Sequence, residues 1–194
     1  MEITIDLIKS LRDKTGVSVM QCKKALEEAS GDMDKAIIIL MKKSSEISVK
    51  KGDRTLGAGA VGAYIHGTGN VGALVEVMCE TDFVSSNEDF KKLAYDVAMH
   101  VTASNPEFLK KEDISESDMT KAREVFEKEV LDKPKDLQDK ILAGKLDSYF
   151  NERILLEQHF IKNPDITIKG LVEQAVQKFG EKVEITRFSR FSVK

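Results

Sequence analysis

The sequence predicts an α+β protein in which a three-helix bundle precedes an antiparallel-sheet core with flanking helices and a projecting helical hairpin. Two observations lead to this fold class. Three short segments with helix-cap signals open the chain, and two segments rich in β-forming residues, joined by a glycine turn, follow them. We therefore divide the chain into a bundle at 1–42, a linker at 43–57 and a core domain at 58–194, which includes the hairpin at 115–151.

Each helix of the predicted bundle has its own start signal. Thr4 can cap the first helix, which ends at Gly16, and Asp32 can cap the third. Ser18 opens the second with Gln21 three positions on, the spacing of a capping box, in which each side chain bonds a free backbone N–H of the other. Three helices of this size bury little apolar surface, so much of the bundle is free to contact a partner.

Composition predicts the linker that follows the bundle. Residues 42–56 are polar and basic, with five Lys or Arg against two acids, and their apolar residues show no period. Such a segment is typical of a solvated tether, and a basic arm that contacts a partner is the alternative.

The core is predicted to begin with a β-hairpin. Two segments of β-formers, 60–66 and 71–79, flank Gly-Thr-Gly-Asn at 67–70, which is typical of a tight turn. A helix from about residue 86 to residue 104 follows, because apolar residues recur there at i, i+3, i+4 and i+7. An Asn-Pro pair ends that helix.

The C-terminal half is predicted to contain a helical hairpin and two strands. Helical segments with narrow apolar stripes, broken at Lys-Pro-Lys 133–135, indicate an antiparallel hairpin. The apolar run 154–161 predicts a strand, and after a further helix a final strand covers 183–193. The two phenylalanines of the final strand fall on opposite faces, so we expect a β-bulge near Ser189.

Composition and charge exclude several function classes. The chain has 194 residues, is 41% hydrophobic and 32% charged, and carries a net charge of −3, which argues against nonspecific nucleic-acid binding. No apolar run approaches the ~18 residues of a membrane span. The N-terminus lacks the basic and apolar regions of a signal peptide, so we expect a cytoplasmic protein without a membrane partner.

No motif indicates a catalytic or metal site. Cys22 and Cys79 are far apart, and no histidine stands at ligand spacing to another, so we expect buried thiols, no metal and no cofactor. An enzyme with a cysteine nucleophile is the alternative, and it would need a histidine brought close by the fold. Two G-x-G-x-x-G matches, 57–62 and 67–72, do not open a helix and are therefore not predicted to hold a nucleotide.

Two places remain as candidates for contact with a partner. Asp82 and Phe83 lie between a strand and a helix, where a rigid strand end can present side chains, although a turn cap and a core residue are the simpler interpretation. His100 falls at the rim of the apolar stripe of the following helix. It is either a hydrogen-bonded, partly buried histidine or a contact residue.

Three blocks of the sequence resemble the elongation factor Ts family. The first is Leu-Arg-Asp-Lys-Thr-Gly at 11–16, with 20–26 and 31–36 after it; the second is Glu-Thr-Asp-Phe-Val at 80–84, running on to 98–101; the third is Gly-Glu-Lys-Val at 180–183, with Arg-Phe at 187–188. Their order and spacing cover essentially the whole chain.

The resemblance implies a guanine-nucleotide exchange factor that binds elongation factor Tu loaded with GDP, promotes GDP release and then holds the nucleotide-free partner, with no chemistry of its own. It also implies that the N-terminal bundle is ubiquitin-associated-like. The positions that match the bundle's contact with the partner are Leu11, Arg12, Val19, Met20 and Lys23. Those that match the element disturbing the partner's Mg²⁺ are Thr81, Asp82, Phe83 and Val84, and His100 matches a contact residue of the same region.

The chain resembles the short form of that family, because it has room for one sheet unit where longer members have two related subdomains. We therefore expect a homodimer joined through the core sheet, with a monomer as the alternative. A ubiquitin-associated-like adaptor without exchange activity is a second functional interpretation. It leaves residues 81–84 and most of the remaining chain unexplained.

Overall fold

The architecture comes from a computed structural model that describes residues 3–131 and 134–193, without the side chains of residues 135 and 136. The predicted break at Lys133 and the predicted domain ends at residues 1 and 194 lie outside the described part. The helices are α1 (Ile5–Thr15), α2 (Val19–Glu28), α3 (Met33–Lys50), α4 (Asp82–Ser85), α5 (Glu88–Ser104), α6 (Glu116–Val130), α7 (Lys135–Asn151) and α8 (Ile168–Phe179). The strands are β1 (Ala58–His66), β2 (Val71–Cys79), β3 (His159–Phe160), β4 (Asn163–Thr167) and β5 (Val183–Ser192). The mixture of helices and antiparallel sheet confirms the predicted α+β class.

The first three helices begin where their caps predict. The side chains of Thr4, Ser18 and Asp32 each accept a hydrogen bond from the backbone N–H three residues on. Gly16 ends α1 in the left-handed conformation, with φ 68°. The helices enclose a core of their own, which consists of Ile8, Leu11, Val17, Cys22, Ala25, Leu26, Ala29, Ala36 and Leu40.

The prediction of a linker over 43–57 is wrong for its first eight residues, because α3 continues to Lys50. Leu40, Ser44 and Ile47 recur at helical spacing on one face; Ser44 is buried and Ile47 packs against the sheet core. A serine at the centre of that face and lysines beside it concealed the apolar period. Hydrogen bonds from Ser44 to Gln177 and from Ser45 to Glu173 join α3 to α8.

The hairpin β1–β2 and the final strand β5 form one antiparallel sheet, in the order β1-β2-β5. Helix α5 covers one face of this sheet. A Cβ at Gly62 would come within 2.1 Å of the carbonyl oxygen of Ala94, so only glycine permits this close approach. Gly67 and Gly69 have positive φ in the turn, which confirms that these glycines shape the backbone.

The bulge in β5 lies three residues before the predicted position. Arg187 pairs with Glu76 and Ile185 with Val77, so Thr186 is the extra residue. The Glu76 carboxylate accepts two hydrogen bonds, one from the Thr186 hydroxyl at 2.5 Å and one from the Arg187 guanidinium at 2.7 Å. Both bonds lower the pKa of Glu76 below its ordinary value, and the bond from Thr186 has the larger effect.

Helices α6 and α7 pack antiparallel, as predicted. Lys145 pairs with Glu129 at 2.7 Å and the ring of Tyr149 meets that of Phe126, so contacts advance along one helix as they recede along the other. The hairpin has its own core, formed by Ala122, Val130, Leu142, Leu146, Phe150 and Ile154.

The prediction of a strand over 154–161 is wrong. Leu155–Glu157 is a 3-10 turn, and only His159–Phe160 is a strand, which pairs with the unpredicted β4. Ile154 belongs to the hairpin core and Leu155 to the sheet core. The run is therefore apolar because it joins two cores, which requires no strand.

Candidate functional site

The turn between β2 and α5 presents a large aromatic side chain to solvent. Residues Asp82–Ser85 form one helical turn, α4, in which the Phe83 side chain is 84% exposed and the next residue, Val84, is 4% exposed. Val84 packs into the sheet core and anchors the turn. Phe83 is thus a surface residue, and its simpler interpretation as a core residue is wrong.

Thr81, the residue that caps α4, is held from the far end of the sequence. Its backbone N–H donates to one carboxylate oxygen of Glu181 at 3.0 Å, and its hydroxyl donates to the other at 2.6 Å. The carbonyl of Thr81 accepts from the N–H of Ser85 at 3.2 Å. Glu181, two residues before β5, therefore fixes the turn that carries Asp82 and Phe83.

Glu80 provides a second fixed point beside the turn. Its carboxylate accepts from the backbone N–H of Lys182 at 2.6 Å and from the Arg54 guanidinium at 3.1 Å to each oxygen. The bond from Lys182, followed by the Arg54 bond and charge, lowers the pKa of Glu80, so this carboxylate stays charged near neutral pH. The Lys182 ammonium donates to the carbonyl of Gly52 at 2.7 Å.

Glu80, Glu181, Arg54 and Lys182 had no predicted site role. Glu80 lies inside the motif block at 80–84, and Glu181 and Lys182 lie inside the block at 180–183, which was the only signal available. The bonds from Thr81 to Glu181 and from Lys182 to Glu80 could not be inferred from the sequence, because about one hundred positions separate the two residues of each bond.

A second exposed patch lies on the bundle. Val19 and Met20 occupy the first turn of α2, and Met20 is 68% exposed. Lys23 lies one turn further on the same face and is exposed, with its Nζ 3.8 Å from Oε1 of Glu27. Arg12 is exposed on α1. These four predicted contact residues are accessible to a partner.

Leu11 does not belong to that surface. Its side chain is 0% exposed and lies in the bundle core beside Ile8 and Cys22. The prediction of Leu11 as a contact residue is wrong, because its position in α1 faces α2 and α3. It supports the patch from inside.

The rim position predicted for His100 is also wrong, because the ring is 0% exposed. Its Nε2 lies 2.9 Å from Oε1 of Gln158, and its Nδ1 accepts from the N–H of Ile161 at 3.4 Å. This arrangement requires a neutral ring with the proton on Nε2. Burial lowers the pKa of His100, which favours this neutral form. Through the two hydrogen bonds the ring holds α5 against residues 158–161, and it does not reach the surface.

Comparison with known proteins decides the family. The sequence profile of the family described as "Elongation factor TS" matches residues 5–194. The chain belongs to the elongation factor Ts family.

Full-length relatives agree with this match. The proteins named elongation factor Ts from Carboxydothermus hydrogenoformans and Herpetosiphon aurantiacus are 46% and 43% identical over 193 and 195 residues. These alignments cover 98% and 100% of this chain, and 89% and 98% of the relatives. The elongation factor Ts of Thermotoga maritima is 42% identical, with 100% of this chain and 97% of the relative covered. The predicted resemblance to the elongation factor Ts family is confirmed.

The structure gives the two cysteines no nucleophilic character. Cys22 donates to the carbonyl of Val17 at 3.5 Å, and Cys79 donates to the carbonyl of Thr81 at 3.2 Å. Burial raises the pKa of both thiols, and the nearby Glu181 carboxylate raises that of Cys79 further. Both cysteines therefore stay protonated, and the protonated form is a poor nucleophile.

The described residues contain neither a metal-binding cluster nor a membrane-spanning helix. Across 3–131 and 134–193, no three His, Cys, Asp or Glu side chains cluster in a way that could hold a metal ion. Among the helices of the same residues, none is both long and apolar enough for a membrane span.

Proposed function

We propose that this chain is a guanine-nucleotide exchange factor of translation elongation that binds elongation factor Tu with GDP, promotes GDP release and performs no chemical step itself. The observation that carries the proposal is the exposed Phe83 on a turn whose neighbours are anchored by Val84, Glu80 and Glu181. Membership of the elongation factor Ts family supports the same role.

An aromatic side chain that is 84% exposed gains free energy when a partner buries it. Burying a phenylalanine side chain is worth about 1.5–3 kcal/mol, which the free chain forgoes at Phe83. The anchored neighbours hold the backbone of the turn that carries the ring, so the partner does not have to order this backbone on binding. This arrangement suits a wedge that enters a groove of a second protein.

Such a wedge, with the Asp82 carboxylate beside it, is chemically suited to weaken a bound nucleotide. GDP in a GTPase is held largely by phosphate contacts and by the Mg²⁺ that neutralises them. When the metal is displaced, the phosphate oxygens are less compensated and the affinity for GDP falls. By reciprocity, the exchange factor then binds the nucleotide-free partner more tightly than the loaded one.

The patch of Arg12, Val19, Met20 and Lys23 would supply the second contact with elongation factor Tu. It combines two exposed apolar side chains with two cations, a composition that suits an anchor surrounded by a charged rim. Leu11 keeps a structural role in the bundle core beneath the patch, and His100 keeps one between α5 and residues 158–161. An adaptor that used the bundle alone would leave the Phe83 turn without a function.

We also propose that the chain acts in the cytoplasm as a homodimer joined through its sheet. The sheet face opposite α5 exposes Val61, Ile65, Leu74 and Phe191, and the strand register places these residues close together. A second copy could cover this apolar face and would give each dimer two Phe83 turns.

The deciding experiment measures the release of labelled GDP from elongation factor Tu with catalytic amounts of this protein. We expect the release rate to rise with protein concentration, and Phe83→Ala to lose most of the acceleration. An unchanged release rate at every concentration of a folded, monodisperse sample would refute the proposed function.

A further inference from the structure

The last turn of α8 and the residue after its cap contact residues that adjoin both candidate contact surfaces. Gln177 donates from Nε2 to Oε1 of Gln21 at 3.3 Å, and Gln21 follows Met20 on α2. Four residues after Gln177, beyond the cap Gly180, Glu181 accepts both hydrogen bonds from Thr81. A single short segment therefore links the bundle patch to the Phe83 turn.

The same glutamine holds the helix that joins the bundle to the core. Its Oε1 accepts from the hydroxyl of Ser44, whose oxygen also lies 3.0 Å from the carbonyl of Leu40. Leu40 belongs to the bundle core, whereas Ile47, on the other side of Ser44, packs against the sheet core. Helix α3, a rod of ~27 Å, passes from one core to the other at Ser44.

A polar contact at this place defines geometry better than it adds stability. Ser44 is 1% exposed and Gln177 is 8% exposed, so the two groups exchange water for each other. Apolar contacts tolerate small rotations of one helix on another, whereas a buried hydrogen bond is lost when the groups move apart. Ser44, Gln177 and Gln21 thus define one orientation of α2 and α3 on α8.

We propose that Gln177 is a positioning residue that holds the bundle in one orientation on the core, so that the Met20 patch and the Phe83 turn engage one partner molecule together. The inference rests on the proposed function. Two contacts on a rigid body act as a bivalent ligand, whose affinity depends on the spacing of its two parts. Losing the orientation weakens binding while each contact surface stays intact.

Gln177→Leu is the test variant, with Gln174→Leu as the matched control on the same helix. Ser44 keeps the carbonyl of Leu40 as an acceptor and Gln21 is only half-buried, so the fold should survive the loss of the amide. Gln21→Ala, which removes the link from the partly exposed side, is the second variant. Circular dichroism and thermal melting establish that all three variants fold.

The first readout is the orientation itself, measured without the partner. Spin labels on Lys24→Cys in the bundle and Thr68→Cys in the β1–β2 turn, both exposed positions, report one interdomain distance. We expect its distribution to become at least about twice as wide in Gln177→Leu and to stay narrow in Gln174→Leu, because the Gln177 amide hydrogen-bonds both to Ser44 on α3 and to Gln21 on α2. A distribution as narrow as that of the wild type would overturn the inference.

The second readout is binding to nucleotide-free elongation factor Tu. We expect Gln177→Leu to bind about tenfold more weakly, with GDP release at saturating protein within about twofold of the wild type. Unchanged affinity in a variant with a widened distribution would overturn the positioning role. If the wild type neither binds nor releases GDP, the proposed function fails, and the distance measurement still decides whether Gln177 holds the orientation.

Discussion

Thr81 and Glu181 lie one hundred positions apart in the chain, yet they share two hydrogen bonds, of 3.0 and 2.6 Å. Both oxygens of the Glu181 carboxylate are used, one by the backbone N–H and one by the hydroxyl of Thr81. The contact ties the segment after β2 to the segment before β5 at the point where the Phe83 turn begins. The presentation of Phe83 is therefore a property of the whole sheet.

Glu181→Ala should impair exchange more than it impairs folding. It removes two partly solvated hydrogen bonds, each worth about 0.5–1.5 kcal/mol of unfolding free energy, and frees the turn. We expect GDP release to slow several-fold at a melting temperature reduced by only a few degrees. Glu184→Ala, three residues on and paired with Lys182 at 3.3 Å, is the control and should exchange normally. Equal exchange by both variants would show that the two hydrogen bonds between Thr81 and Glu181 have no role in presenting Phe83.

Phe83→Ala and Val84→Ala should have opposite effects. Phe83 is exposed, so truncation should change the unfolding free energy by less than about 0.5 kcal/mol while it abolishes most exchange. Val84 is buried, so its truncation should cost about 1–3 kcal/mol, with exchange falling mainly through loss of folded protein. Chemical denaturation and GDP release, measured on both variants, check this. A large stability loss in Phe83→Ala would contradict the placement of its ring.

Lys23→Ala should weaken binding to elongation factor Tu with little effect on melting. The lysine is exposed, and its one ion pair within the described part of the chain is a surface pair with Glu27 at 3.8 Å, a contact worth little to stability. Lys24→Ala, the neighbouring exposed lysine, is the matched control and should bind as the wild type does. Calorimetry measures both. If Lys23→Ala binds as tightly as the control, the residue lies outside the contact surface.

His100 should make the fold sensitive to acid. Burial lowers its folded-state pKa below the ordinary 6.5, so the unfolded chain binds more protons once the pH falls below that value. The contribution of His100 to the unfolding free energy is then fully present above pH 6.5 and is lost as the pH falls toward the lowered folded-state pKa, because protonation puts a second N–H against the N–H of Ile161. Denaturant unfolding at a series of pH values at and below 6.5 gives the unfolding free energy as a function of pH. This free energy should change less steeply with pH in His100→Gln than in the wild type. In His66→Gln, at an exposed position, it should change as steeply as in the wild type. Equal slopes in all three would exclude His100 as the source.

Light scattering at micromolar concentration tests the homodimer. We expect a mass near twice 21.7 kDa for the wild type. Leu74→Lys should shift the mass toward the monomer, because a charge in the exposed face of the sheet opposes its burial against a second copy. His66→Gln, outside that face, should remain dimeric. A wild-type mass of 21.7 kDa that does not change on concentration would contradict the dimer.

Local signals in the sequence determined the class of each well-capped element. Thr4, Ser18 and Asp32 start their helices because a side-chain oxygen satisfies a nearby backbone N–H, and the glycine turn at 67–70 closes the hairpin. These interactions span a few residues and can be read from the chain. The motif blocks likewise sufficed to indicate the family.

Only the tertiary structure decided which residues are covered. The path of α3 past residue 42, the turn at 155–157, the burial of Leu11 and His100 and the exposure of Phe83 all depend on which element packs against which. A periodic pattern identifies the apolar face of a helix but not the element that packs against it. A serine such as Ser44 can occupy a buried position because Gln177 accepts its hydrogen bond. Contacts between residues a hundred or more positions apart leave no local signal in the sequence. Local patterns therefore predicted most of the helices and strands, whereas the exposed and buried residues followed only from the tertiary packing.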